Sequence, residues 1–592
     1  MKFFSRIRPT ALWLVTLTVL FVAQTALFGQ ATGNVTGVVE DETGAVIPKA
    51  TVVLTNMVNG TEITTTSNGA GAFAFAGLVP ATYSFKVTAS GFESWQSQSF
   101  PLHGGDHLGF TDIRMGVGAA QAVVTVEAKT ETGLAGLDSA EQSDIINSEE
   151  LNTLSVVGRD ATELVRMLPG YAMSTGDQGL FNRPGYNSAV VGLSGPTGAF
   201  SANGAGVTGI ATLTDGVSLT DIASNSGSVQ QINIEMVQSV KATNSSFGAQ
   251  YAKGPAVISA ESKQGGSKYH GEAYMAARNT NLNSNDWYDN YLRQSRPAGS
   301  YYYPGAQVSG PLSLFSRSNP KMFFFAGFEY YNQNFEANQQ AISTWVPTMA
   351  ERQGDFSPAL LDAELCGSRP DGTANPNSIQ AMCNSDNYLP NGTAVTNYNA
   401  QPYVNSSGAA LVNWFPLPNA DPFTNPFGYN YIQQVIENQN GEQFKATLDY
   451  NINDKDRLFL VYGLQKEIDE DPVALNQSFP SGAMPYPGGI TTGDISNVLS
   501  AHYNRTFGSS VNNEFAVAMS FVSLPGKMGN PQAVDRYDMS LYNCNIVSER
   551  NTGTCPYSIG NNFDYLGMYK NGGDLSVPAV GGFNGLGYPN LA

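Results

Sequence analysis

Charge is scarce in this sequence. Asp, Glu, Lys and Arg together make up 13% of 592 residues, about half the usual share of a soluble globular protein. What charge there is leans negative, at −19. That sign repels phosphate backbones and excludes nucleic acid as an expected partner. Four His leave little room for imidazole-based metal or proton chemistry. No G-x-x-x-x-G-K-[ST] phosphate loop and no H-E-x-x-H metal motif occurs. His103 and His107 are four apart, but Gly104 and Gly105 between them favour a loop over a ligand pair. The Gly-rich stretch 192–209 lacks the strand-to-helix context of a nucleotide site. No cofactor, metal or catalytic residue is expected, and no enzymatic activity. Past the N-terminus no run of eighteen apolar residues exists, so no later helix is expected to span a bilayer.

What is abundant points to β-structure: 62 Gly, 31 Pro, 28 Tyr and 31 Phe. The first residues read as a secretory signal peptide over 1–31. Lys2, Arg6 and Arg8 precede an uncharged, mostly apolar stretch from Ala11 to Phe28, and Gly29 and Ala31 are the small residues of a cleavage site. Export, or a membrane crossed by strands, follows. The four Cys suit an oxidising compartment. Cys366 and Cys383 lie near each other, as do Cys544 and Cys555. Local pairing would staple two loops, although three connectivities are open.

Residues 32–117 alternate with the strand period. Val35 and Val39, then Ala50, Val52 and Leu54, then Phe73 and Phe75, then Tyr83, Phe85 and Val87 fall on one side between Gly- and Pro-rich turns. This spacing predicts a small sandwich. The runs G-V-V-E-D-E-T-G-A-V-I-P-K-A-T-V (37–52) and T-S-N-G-A-G-A-F-A-F-A-G-L-V-P-A-T-Y (66–83), with S-G-F (90–92), resemble the carboxypeptidase-regulatory-like domain. That resemblance implies a transthyretin-like, carbohydrate-binding-like sandwich, and Ala81 replaces the family's usual Gly. A rigid spacer and a ligand-binding module are both open roles.

The segment 118–265 contains a Val-rich run, Val123–Val124–Thr125–Val126–Glu127–Ala128, followed by a flexible stretch. Helices are predicted from Ser148 and over Ala161–Leu168, with Pro169 and Gly170 stopping the second. Strands are predicted over Ala211–Val217 and Val257–Ser262. Three stretches resemble the plug of TonB-dependent receptors: 151–170 with Gly158, Arg159, Pro169 and Gly170; 212–217 with Asp215 and Gly216; and 234–271. Gly254–Pro255–Ala256 and Ala260–Glu261–Ser262 depart from that pattern. The resemblance implies an α+β plug, and a TonB box at 123–128. An extended strand on a tether can join a partner's sheet edge through backbone bonds; an ordinary sandwich or linker strand is the alternative.

From 266 to 592 the alternating segments lengthen. Phe324, Ala326, Phe328 and Tyr330 share a face, as do Phe444, Ala446, Leu448, Tyr450 and Ile452 opposite Lys445, Thr447, Asp449 and Asn451. Leu458, Leu460, Tyr462 and Leu464 continue after a turn at 453–456, then Leu499, Ala501 and Tyr503, then Phe515, Val517, Met519 and Phe521. Strands of about ten residues, apolar on one face and polar on the other, predict a transmembrane antiparallel β-barrel. A polar loop is expected from about 345 to 441, and Glu467, Asp469, Glu470 and Asp471 are expected in a solvated loop. The runs F-F-F-A-G-F-E-Y and V-P-T-M-A-E-R-Q-G-D-F-S resemble the Oar-like subgroup. A barrel of about 22 strands of about ten residues needs about 220 strand residues plus loops. The last 327 residues provide eight to ten strands, so a C-terminally truncated receptor is expected.

The fold class expected is therefore mainly β: a sandwich, a plug and part of a barrel. The resemblance implies a receptor in the outer membrane of a diderm bacterium, partnered by outer-membrane lipid and the TonB complex. It would move a bulky ligand past the plug, and siderophore, oligosaccharide and peptide are all open. The alternative function is a secreted or surface-attached carbohydrate-binding or adhesion protein without transport.

Overall fold

The computed structural model describes residues 32–118, 123–125, 142–154, 159–173, 200–204, 210–220, 228–245, 256–285, 287–292, 296, 298–313, 321–336, 342–344, 346–355, 399, 401–403, 416–421, 430–433, 436–453, 455–471, 490–507, 511–523 and 526–528. The signal-peptide segment, Val126, Glu127, Ala128, Gly158 and the four Cys lie outside these residues.

Eight strands build the sandwich: β1 (Gly33–Asp41), β2 (Thr51–Asn56), β3 (Glu62–Thr66), β4 (Ala72–Leu78), β5 (Ala81–Thr88), β6 (Ser94–Gln96), β7 (Phe100–Leu102) and β8 (His107–Met115). One sheet runs β4-β1-β8. The other runs β3-β2-β5-β6, with β7 beside β5, and ends on a short ninth strand, β9 (Val123–Thr125). Alternation decides what is inside. Val35, Val39, Val52, Leu54, Phe73, Phe75, Tyr83, Phe85 and Val87 are all buried, each contributing about 1.5–3 kcal/mol of apolar transfer. Phe85 meets Phe110 edge-on across the two sheets, with centroids 4.8 Å apart.

The plug follows. Its strands are β10 (Gln142–Ile146), β11 (Tyr171–Met173), β12 (Phe200–Ala202), β13 (Ile210–Thr214), β14 (Val217–Ser218), β15 (Val237–Ser245) and β16 (Ala256–Ser262). They form a five-stranded sheet, β10-β15-β16-β13-β14, and a separate β11-β12 pair. Helix α1 (Ser148–Thr153) starts at a capping box between Asn147 and Glu150. The second expected helix is a 3₁₀ turn, Ala161–Met167, capped by Asp160. Gly170, at φ +84°, ends that turn and leads into β11.

Most of the remaining strands form one antiparallel wall. It is an eight-stranded sheet of β17 (His270–Asn279), β18 (Gly299–Leu312), β19 (Met322–Glu336), β22 (Ile436–Asn451), β23 (Asp456–Asp471), β24 (Ile490–Thr506) and β25 (Asn512–Ser523), with β26 (Gly526–Met528) paired beside β24. A small pair, β20 (Ile342–Thr344) and β21 (Tyr431–Gln433), narrows the expected 345–441 loop, because β22 already begins at Ile436. The register is unbroken from Met322↔Tyr450 to Glu336↔Ile436. The acidic run 467–471 is the outer end of β23 rather than a loop, and Glu467 is buried under the Tyr331 hydroxyl.

The two faces of the wall differ as the alternation requires. Phe515, Val517, Met519 and Phe521 are each more than half exposed on the outside. Gln443, Gln465, Ser500 and His502 are buried on the inside, against the plug. Val498 of β24 joins the plug's own apolar core, beside Val240 and Ile258.

Candidate functional site

Two of the motif residues, Arg159 and Asp215, reach the inner face of the wall. Arg159 sits at φ +62°, a left-handed conformation uncommon for a non-glycine residue. Its Nη2 donates to Glu235 Oε1 at 3.1 Å and to Glu329 Oε2, on β19, at 2.7 Å. The guanidinium also lies 5.4 Å from the Tyr274 ring and 5.6 Å from the Tyr303 ring, a cation–π setting. Burial alone would lower the Arg159 pKa, but the carboxylates of Glu329 and Glu235 outweigh it and raise it. Amides extend the contact. Asn233 Nδ2 donates to Glu329 Oε1 at 2.7 Å and to Gln443 Oε1 at 2.8 Å. The backbone N–H of Gln231 donates to Gln465 Oε1 at 2.7 Å. Gly463 permits the close approach, since a Cβ there would stand 2.7 Å from Gln230 Oε1.

A second anchor is built on Asp215. This residue and Gly216 turn β13 into β14, at φ +46° and +78°. The Asp215 carboxylate accepts from Ser262 N at 2.9 Å and from the Ser262 hydroxyl, and Lys445 Nζ on β22 lies 3.4 Å away. Lys445 also donates to Thr214 Oγ1 at 2.6 Å. His502 of β24 reaches the Asp215 carbonyl at 3.2 Å. Each anchor therefore opposes a plug charge to a wall charge of the other sign, both out of water.

Asp160 acts within the plug. Its Oδ1 accepts from Thr162 N at 2.9 Å and Thr162 Oγ1 at 2.6 Å, and its Oδ2 from Ile232 N at 3.3 Å. Burial pushes its pKa up to about 6, more than those hydrogen bonds lower it. A carboxyl whose folded pKa is raised binds its proton more tightly in the native state. Plug stability should therefore fall as pH rises from about 4 to about 6 and then level off, by about 3 kcal/mol in all. Hydrogen exchange of β15 and β16 amides across that range checks this, and Asp160→Asn should flatten the profile.

The predicted residues separate as follows. Arg159 and Asp215 reach the wall; Pro169 and Gly170 instead close the 3₁₀ turn, with the Pro169 carbonyl 3.4 Å from Asn244 Nδ2 and the Gly170 carbonyl accepting from Asn203 N. Val123, Val124 and Thr125 form β9 and pair in parallel with Ser94, Trp95 and Gln96 of the sandwich. His103 and His107 do not converge: the first meets Glu261 and the second Asn34. Among the described residues no group of three or more His, Cys, Asp or Glu could hold a metal ion. Sequence reasoning missed Glu235, Glu329, Gln443 and Gln465. The wall residues could have been found as polar positions on the inward register of their strands.

A family model described as "Outer membrane beta barrel domain" matches residues 261–575, more than half of the chain. The chain belongs to that outer-membrane β-barrel family. Its wall accordingly lies in the outer membrane of a Gram-negative bacterium, with the apolar face toward lipid. A second family model, "Carboxypeptidase regulatory-like domain", matches residues 34–116, the sandwich. No curated protein matches the chain. Among solved structures it is similar to the Escherichia coli outer membrane transporter YddB, with 13% identity over 65% of this chain and 39% of that one and a TM-score of 0.36. It is also similar to Pseudomonas aeruginosa FpvA, solved bound to heterologous pyoverdines, with 12% identity over 67% and 44% and a TM-score of 0.35. The Acinetobacter baumannii siderophore receptor PirA gives 12% identity over 65% and 45% and a TM-score of 0.30. The chain thus spans less than half the length of each.

Proposed function

We propose that this family member is a TonB-dependent receptor that admits a bulky ligand through the outer membrane, gated by the plug. The observation that carries the reading is the pair of buried charge contacts, Arg159 with Glu329 and Asp215 with Lys445, joining a separate five-stranded domain to the inner face of the wall. A domain held inside a wall by a few desolvated ion pairs is seated firmly, yet by contacts that an applied force can break one at a time. Glu329 and Lys445 would then be wall residues that hold the gate shut. The segment beginning at Val123 is the energy-coupling strand in this reading. It is extended, Val-rich and already bound by backbone pairing, the mode by which a strand joins a partner's sheet.

Titration of the full-length protein in detergent with the periplasmic domain of TonB tests the reading. Saturable binding is expected, and Val124→Pro should weaken it at least tenfold, because Pro removes a ladder donor and fixes φ. Binding that Val124→Pro leaves unaltered would contradict the assignment of this strand.

A further inference from the structure

We propose that the N-terminal sandwich is a second stopper, seated in the periplasmic mouth of the barrel beneath the plug and released when strand β9 is pulled. The inference rests on the receptor reading above and adds a moving part to it.

Three turns at one end of the sandwich make the seat. Between β2 and β3, Asn59 Nδ2 donates to Asp449 Oδ2 at 3.4 Å, Thr61 Oγ1 accepts from Asn451 Nδ2 at 3.3 Å, and the Val58 carbonyl accepts from Ser267 N at 3.3 Å. Between β4 and β5, Val79 is fully buried against Phe459 and Val461 of the wall, and the Pro80 carbonyl accepts from Gln264 Nε2 at 3.0 Å. A side chain on Gly77 would collide with Asn504. Between β7 and β8, His103 Nδ1 lies 3.2 Å from Glu261 Oε2, the Gly104 N–H donates to the same carboxylate, and Asp106 Oδ1 accepts from Lys241 Nζ at 2.9 Å. Glu261 and Lys241 belong to β16 and β15 of the plug.

The position follows from the wall's own geometry. Asp449, Asn451, Asn504 and Glu514 flank the short connections β22–β23 and β24–β25, whereas the long connections lie at the opposite ends of these strands. Outer-membrane barrels place short turns on the periplasmic side. Among the described residues it is this end of the sandwich that is engaged; the far turns, at Thr43–Gly44 and Gly69–Ala70, are exposed. A spacer would have no need to bury Val79, Asn59, Lys241 and Glu261.

Two features make the seat releasable. Apart from Val79 the contacts named above are mostly polar, and polar groups regain hydrogen bonds to water when an interface opens. Strand β9 is held by the sandwich through a pairing of three residues on β6. Tension on the chain beyond Thr125 therefore acts first on β6, and through the sandwich on the ion pairs to β15 and β16. The departure from the plug pattern at 260–262 has a local reason as well, since Glu261 is the residue that receives the sandwich.

The test uses the full-length protein in intact cells. Val79→Cys, a nearly isosteric change, is probed with a maleimide small enough to pass porins. Labelling is expected to be at least tenfold faster in energised cells than in cells treated with a protonophore. Equal rates in the two states would overturn the proposal. As a second measurement, Asn59→Cys with Asp449→Cys should give a linked peptide by mass spectrometry in resting cells; no link would overturn it too. Binding of the TonB periplasmic domain is measured alongside. Energy-independent labelling with TonB binding intact sinks the stopper alone, whereas loss of TonB binding with the 59–449 link formed sinks the receptor reading.

Discussion

Arg159→Ala is expected to loosen the plug from the wall by about 3–5 kcal/mol, the scale for removing one member of a buried charge cluster. The substitution leaves Glu329, which is almost fully buried, without its ion-pair partner and close to Glu235. It also removes the group that stacks near Tyr274 and Tyr303. Hydrogen exchange should accelerate in the 228–236 segment before it does in β24. In cells, passage of a large antibiotic normally excluded by the outer membrane should rise. Adding Glu329→Gln should recover part of the loss, because an amide still accepts from Asn233 without an unbalanced charge. If Arg159→Ala leaves both exchange and permeability unaltered, the buried contact does not hold the plug.

The second large effect separates the two faces of the wall. Leu448 and Lys445 are three residues apart on β22, yet Leu448 points outward and Lys445 inward, toward Asp215. Leu448→Arg is expected to cost about 1–4 kcal/mol for insertion into lipid vesicles, the depth-dependent penalty for a cation on the lipid face. Lys445→Met should insert normally, since the lumen side meets no lipid. Its deficit should instead be a loosened plug, because Asp215 loses its cation. Equilibrium folding titrations from urea into vesicles measure both, and equal insertion costs for the two variants would refute the division.

Much of this was legible in the sequence because alternation is a local signal. Phe324, Ala326, Phe328 and Tyr330 had to share a face once β19 was a strand, and the same holds for Phe444 through Tyr450 on β22. The sandwich core was readable for the same reason, from Val35 to Val87. Strand ends were less so. β23 continues to Asp471 through four acidic residues because pairing with β22 and β24 overrides their low strand propensity. The 3₁₀ form of Ala161–Met167 depends on Asp160 being held by Ile232, seventy-two positions away. The anchors could be seen only in half. Arg159 and Asp215 stood out within the plug-like stretches, but their partners Glu329 and Lys445 are single polar residues on long strands. Pairing across 170 and 230 positions of chain leaves no mark in local spacing. Glu261 was visible only as a departure, and its partner His103 only as half of an unpromising pair.

The central claim is that one side of the wall meets lipid while the other encloses the plug. The most direct measurement places single tryptophans at 328, 448, 460 and 519 and, in a second set, at 443, 465 and 500, each reconstituted in vesicles of brominated lipid. Quenching strong at the first set and weak at the second, with a period of two residues along β22 and β23, is the predicted result. Quenching that ignores the alternation, or access of aqueous iodide to the first set, would contradict the account.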